Sequence, residues 1–156
     1  MNPPSAMPVT PRGARPLINS RPSPEALAKR LLELIAAADR EGVRSFRITR
    51  EEFCRYVWPE LPSSRLPNVT CEFAWNHATL ASDAGFNEMW PLNKGRRYEI
   101  VSLRFSKGVD EYPTYRVHRE PVLLVKDASG RAREMRLFGS MLEIDGQFKL
   151  MSFVID

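Results

Sequence analysis

Tyr98-Glu99-Ile100-Val101-Ser102-Leu103-Arg104-Phe105 opens the part of the chain whose patterning decides the fold, residues 97–156. Val101, Leu103 and Phe105 alternate with Tyr98, Ile100, Ser102 and Arg104, the period-two pattern of a half-buried strand. Its β-branched and aromatic content suits a pleated surface. Residues 106–113, with Gly108, Asp110 and Pro113, supply loop chemistry. A second strand is expected over 115–126, at a sheet edge or with a bulge, because Pro121 cannot donate a ladder hydrogen bond. After the turn Asp127-Ala128-Ser129-Gly130, a third strand runs over 133–144 with Gly139 as a bend. Asp145-Gly146 closes a two-residue hairpin whose central positions both require positive φ. The fourth strand, 148–155, is apolar on both faces, the mark of a strand covered on both sides.

Working outward, the residues before 97 read as helices. Ser23-Pro24-Glu25 combines an N-cap, a first-turn proline and an acid. Leu27, Leu31, Leu34, Ile35 and Ala38 then form one apolar stripe, with Gly42 just past the end. Thr49-Arg50-Glu51-Glu52 is a capping box with Ile48 and Phe53 placed as its staple. The helix it starts buries Phe53, Tyr56, Val57 and Leu61 and breaks across Pro59, Pro62 and Pro67. A third helix is expected over 73–89, with Gly85 as an interruption and Trp90-Pro91 as its end. The fold class is therefore α+β, with N-terminal helices packed on a curved four-stranded antiparallel β-meander. Residues 1–22 hold six of the thirteen prolines and no aromatic residue. They are expected to be a disordered tail ahead of a single domain over 23–156.

The chain has 156 residues, 43% hydrophobic and 27% charged, enough for one domain with a real core. Net charge is +4 and pI about 9.3, but Arg12, Arg15 and Arg21 stand in the first 23 residues without an acid. The remainder is almost neutral, which argues against a phosphate-binding face for nucleic acid. Cys54 and Cys71 lack metal or redox spacing and are expected as lone thiols in a reducing cytosol. With no membrane-length apolar run and no secretory leader, the expected location is cytoplasmic.

Helices followed by a long antiparallel meander, ending in Leu137 to Glu143 and Phe148-Lys149-Leu150-Met151-Ser152-Phe153-Val154, resemble the cone-shaped nuclear-transport-factor-like superfamily. The likeness covers residues 24–156 and rests on the order of elements. It implies a pocket at the wide end of a curled sheet and a member that is either an isomerase, dehydratase or hydrolase or a non-catalytic, often dimeric, subunit; fold alone does not choose. The short early strands of that superfamily are hard to find here, apart from Ser45 to Ile48 and the stretch around Val69.

His77 and His118 are the candidates for proton transfer, with Asp110, Glu99 or Glu143 as carboxylate partners if that fold holds. Arg116, His118 and Glu120 share a strand face, the pattern of a surface charge ladder as much as of an acid–base site. Trp75, Tyr98, Tyr115 and Arg116 are the candidate ligand-binding residues, for a small apolar ligand in such a pocket. No Gly-rich phosphate loop, nucleophile elbow, HExxH or P-loop is present, and no cofactor or metal is implied. The function expected is a non-catalytic or small-ligand-binding domain. It would act as a homodimer or with a protein partner through its sheet, since the two-sided fourth strand needs more cover than a few helices supply. The alternative is an isomerase- or dehydratase-type enzyme using a His and a carboxylate.

Overall fold

The computed structural model describes residues 17–155. Helices α1 (Pro24–Ala36), α2 (Arg40–Arg44) and α3 (Arg50–Glu52) come first, α3 running on into a π-helical turn, Phe53–Val57, and two 3-10 turns, Trp58–Glu60 and Pro62–Arg65. The long helix α4 (Cys71–Asn93) follows. The strands are β1 (Glu99–Phe105), β2 (Val109–Glu111), β3 (Arg116–His118), β4 (Pro121–Lys126), β5 (Ala132–Met135), β6 (Met141–Ile144) and β7 (Gln147–Leu150). The fold is α+β, with helices preceding antiparallel strands.

The caps form as their chemistry dictates. Ser23 accepts from Ala26 N at 3.0 Å, and Thr49 and Glu52 close the capping box reciprocally. Helix α1 ends earlier than Gly42 suggested, because Ala38 takes positive φ and Gly42 sits inside α2 under the Asp39 cap. Capped by Thr70, α4 starts at Cys71, two residues before the expected start, and continues past Pro91 to Asn93. Gly85 does not interrupt it. A Cβ there would stand 2.3 Å from the Phe153 carbonyl oxygen, so this glycine lets the C-terminal segment lie directly on α4.

The strands divide into two sheets, β1-β4-β5 and β2-β3-β6-β7, because the two longest expected strands each break in the middle. The second breaks at Glu120, which has φ 56°, next to Pro121. Before the break, β3 pairs with β2 and β6; after it, β4 pairs with β1 and β5. The third breaks around Gly139, where a Cβ would stand 2.5 Å from the Val154 carbonyl oxygen. In β1 a register shift between Ile100 and Ser102 turns Val101 outward, 52% exposed. Ile100, Leu103 and Phe105 share the inner side, so the alternation expected through Val101 is reset by a bulge. Asp145 and Gly146 both have positive φ, as their hairpin requires.

The second sheet separates two apolar cores. Met141, Phe148 and Leu150 face the larger one, shared with Leu27, Leu31, Ile35, Phe86, Leu123 and Phe138. Leu142 and Ile144 face the smaller one, with Leu17, Ile48, Phe53, Val57 and Tyr115. The free edge of β7 is bonded by earlier segments: Arg21 N and O pair with Phe148 O and N at 3.0 and 2.7 Å, and Ile48 N donates to Leu150 O at 2.7 Å.

Two expectations change here. Residues 17–22 belong to the body, since Leu17 is 2% exposed and Ile18 N donates to Glu52 Oε2 at 2.8 Å; residues 1–16 lie outside the described residues. The last strand stops at Leu150, and its second cover is this same chain, so its two-sided burial does not itself call for a second copy.

Candidate functional site

His118 and Glu143 come together because β3 and β6 set Arg116 opposite Glu143 and His118 opposite Met141, leaving the imidazole diagonal to the carboxylate. His118 Nε2 lies 2.8 Å from Glu143 Oε1, with side chains 15% and 20% exposed. Rings of Phe105 and Phe148 stand 5.1 and 5.3 Å from the imidazole. Arg116 Nη1 is 3.9 Å from the same carboxylate, while its Nε reaches Glu111 at 3.3 Å. The pair has the partners for proton exchange, yet aromatic rings occupy the space beside the imidazole.

The other candidates lie apart from this pair. Asp110 is opposite Val117, on the other face of the sheet, and pairs with Arg119 at 3.7 Å. Glu99 belongs to the first sheet, opposite Lys126. His77 is exposed on the outside of α4, with its ring parallel to Phe73 at 6.4 Å. Tyr115 is buried, stacked on Tyr112 at 4.6 Å, and donates to the Val57 carbonyl at 2.9 Å. Tyr98 donates to Asn93 Oδ1 at 2.7 Å and lines a cleft of about 550 Å³ against α1. Trp75 lines a cleft of about 490 Å³ beside residues 44–49 and a smaller one of about 260 Å³. A further cleft of about 550 Å³ runs between α4 and residues 154–155. Neither His118 nor Glu143 lines any of these. The four ligand-binding candidates are thus scattered over separate sites.

Two further cations stand apart from these candidates, Lys149 fully buried and Arg47 half-buried. Lys149, in β7, is 1% exposed at its side chain and pairs with Glu52 at 2.9 Å. Arg47 lies over the Trp75 ring at 4.1 Å and donates to Met151 O at 3.1 Å and Thr79 Oγ1 at 3.0 Å. Burial pushes its pKa down to about 10, Asp83 opposing this and Arg44 adding to it. The available signal was a charge inside an apolar alternation, Phe46-Arg47-Ile48 and Phe148-Lys149-Leu150.

Cys54 and Cys71 are joined by a disulfide that ties the π-helical turn to the first residue of α4. The expectation of lone thiols is corrected, and the location inferred from them loses that support, since disulfides persist mainly in oxidising compartments. Spacing alone could not reveal a pair brought together by tertiary packing. Among the described residues no cluster of three His, Cys, Asp or Glu is placed to hold a metal, and no helix is long and apolar enough to cross a membrane. Comparisons with protein-family models, curated proteins and solved structures found no match.

Proposed function

We propose that this chain is a non-catalytic α+β domain that works by binding, and that it pairs with a second copy through the outer face of α4 rather than through its sheet. The observation that carries the proposal is the exposure of Phe73 and Leu80 at 65 and 73%. At 3.6 residues per turn, Phe73, His77, Leu80 and Ala84 form one stripe, on the side opposite Ser82, Phe86, Met89 and Asn93, which are buried.

The stripe is complementary to itself. In an antiparallel pairing about a two-fold axis between Ala78 and Thr79, Phe73 meets the partner's Ala84 and Leu80 meets the partner's His77. Phe73 thus faces a small residue, and each contact recurs by symmetry, as in an isologous interface. The acids of α4 clear one another: Glu72 falls opposite Gly85, Asp83 opposite Ala74, and Glu88 opposite Val69. Glu72 and Asp83 are in any case paired within the chain, to Arg50 at 2.9 Å and Arg44 at 3.4 Å.

The superfamily likeness supports the same class of function, since its members include dimeric, non-catalytic subunits. The enzymatic alternative is favoured by one observation, the 2.8 Å His118–Glu143 contact, and opposed by the aromatic packing around it. Sedimentation equilibrium at tens to hundreds of micromolar, roughly the range of weak association, tests the proposal. Leu80→Glu should weaken the dimer at least about tenfold, since it buries a charge in the interface. A monomer throughout that range, or a dimer indifferent to Leu80→Glu, would sink it.

A further inference from the structure

Arg47 is half-buried without a carboxylate in ion-pair reach among the described residues. Of its five N–H donors, two are engaged among the described residues, through Nε and Nη1. As a staple between residues 45–48 and α4 the side chain needs no more than those two bonds, and the rest of the fork is left over. Burial of a charge is costly unless it is paired, and burial lowers the basicity of this group, with Asp83 only opposing it.

The surroundings extend the imbalance. Arg44, Arg47 and Lys149 line one cleft of about 490 Å³, with Asp83 as the only acid in its lining. Asp83 is committed to Arg44, and Lys149 to Glu52 from behind. Trp75 and Ile48 supply apolar wall. The volume lies within the range of small-molecule sites, and a planar guanidinium fork matches a carboxylate or phosphate better than an ammonium does.

We infer that this cleft binds a small organic acid through its oxyanion, a carboxylate or a phosphate group, with Arg47 as the principal ligand and Trp75 beside the apolar body. The site uses the Trp75, Thr79 and Asp83 flank of α4, not the Phe73 and Leu80 stripe, so it stands or falls independently of the dimer.

The test is an NMR titration of the full chain, disulfide intact, with inorganic phosphate and with benzoate, chloride being the control at matched ionic strength. The Arg47 Nε–Hε and Trp75 indole N–H resonances should shift saturably, with one equivalent bound and a Kd below about 1 mM. Whichever probe binds more tightly identifies the oxyanion. Arg47→Gln should weaken binding at least about tenfold, and Arg47→Lys less, because the point charge remains while the fork is lost. No saturable shift at these two resonances, an equal response to chloride, or an unchanged Kd in Arg47→Gln overturns the inference. Should Arg47→Gln fail to fold, Asp83→Asn takes its place: removing the only acid of the lining should tighten binding several-fold, and no change counts against the site.

Discussion

Replacing Lys149 by Met, Glu52 by Ala, and both together probes the most deeply buried charges described in this fold. Glu52 Oε1 accepts from Lys149 Nζ at 2.9 Å and from Thr49 N at 2.8 Å, while Oε2 accepts from Ile18 N at 2.8 Å. The carboxylate therefore joins β7, the α3 cap and the N-terminal segment at one point. Glu52→Ala leaves an ammonium without its counter-ion, at a cost of about 3–5 kcal/mol, and dissolves the capping box for about 1 kcal/mol more. Lys149→Met should cost about 3 kcal/mol, the low end of that range, because the carboxylate keeps two backbone N–H donors. The double variant buries no lone charge, so its cost should fall about 2–3 kcal/mol below the sum of the single ones. Equilibrium urea unfolding with the disulfide intact measures all three, provided the m-values agree. Additivity within about 0.5 kcal/mol would refute the idea that the two charges stabilise each other, leaving Lys149 as packing alone.

Two other perturbations have defined outcomes. Cys54→Ser opens a link between residues 17 apart in sequence, and should cost about 3 kcal/mol by the loop-closure estimate; equal urea midpoints for wild type and variant under non-reducing conditions would contradict it. Glu120 is held below the usual carboxylate range by the Ser106 hydroxyl, with burial opposing and Arg136, Lys107 and Arg119 assisting. Because its folded pKa is the lower one, the stability it contributes is fully present above the unfolded pKa and is lost as pH falls through the folded value. Glu120→Gln should therefore flatten the acid limb of stability against pH, and an acid limb identical to that of the wild type would remove Glu120 as its source.

How much of this was legible beforehand follows the range of the interactions. Caps and tight turns, Ser23, Thr49 with Glu52, and Asp145-Gly146, were readable because their partners lie within three residues. Pro121 and Gly139 were readable as disturbances, but whether a disturbance bulges a strand or carries it into a second sheet depends on which neighbours compete for its edges. Pro121 flanks the break at Glu120 because β4 has β1 and β5 to pair with. The reach of the early residues was missed for the same reason: Leu17 and Arg21 sit in a Pro- and Arg-rich context, and only the smaller core gives Leu17, and the edge of β7 gives Arg21, something to cover. Of the three carboxylates named as possible partners for a histidine, Glu143 is the one that strand register brings beside His118. Trp75, Tyr98, Tyr115 and Arg116 were expected in one pocket and occupy separate places, because convergence depends on how two sheets and α4 stack.

The strap of residues 17–21 and 46–48 along β7 also sets a timetable for biosynthesis. Ser20 bonds Gln147 across a sequence separation of 127 residues, so at ribosomal rates its partner emerges roughly 6–25 s later. During that interval Leu17, Ile48 and Phe53 have no β6 or β7 to close over them, and the smaller core is an open apolar surface on a nascent chain. A chaperone that shields apolar segments would have its longest opportunity there, and slowed translation should lengthen the exposure of that core more than that of the β1–β4 pairing, whose strands are made close together.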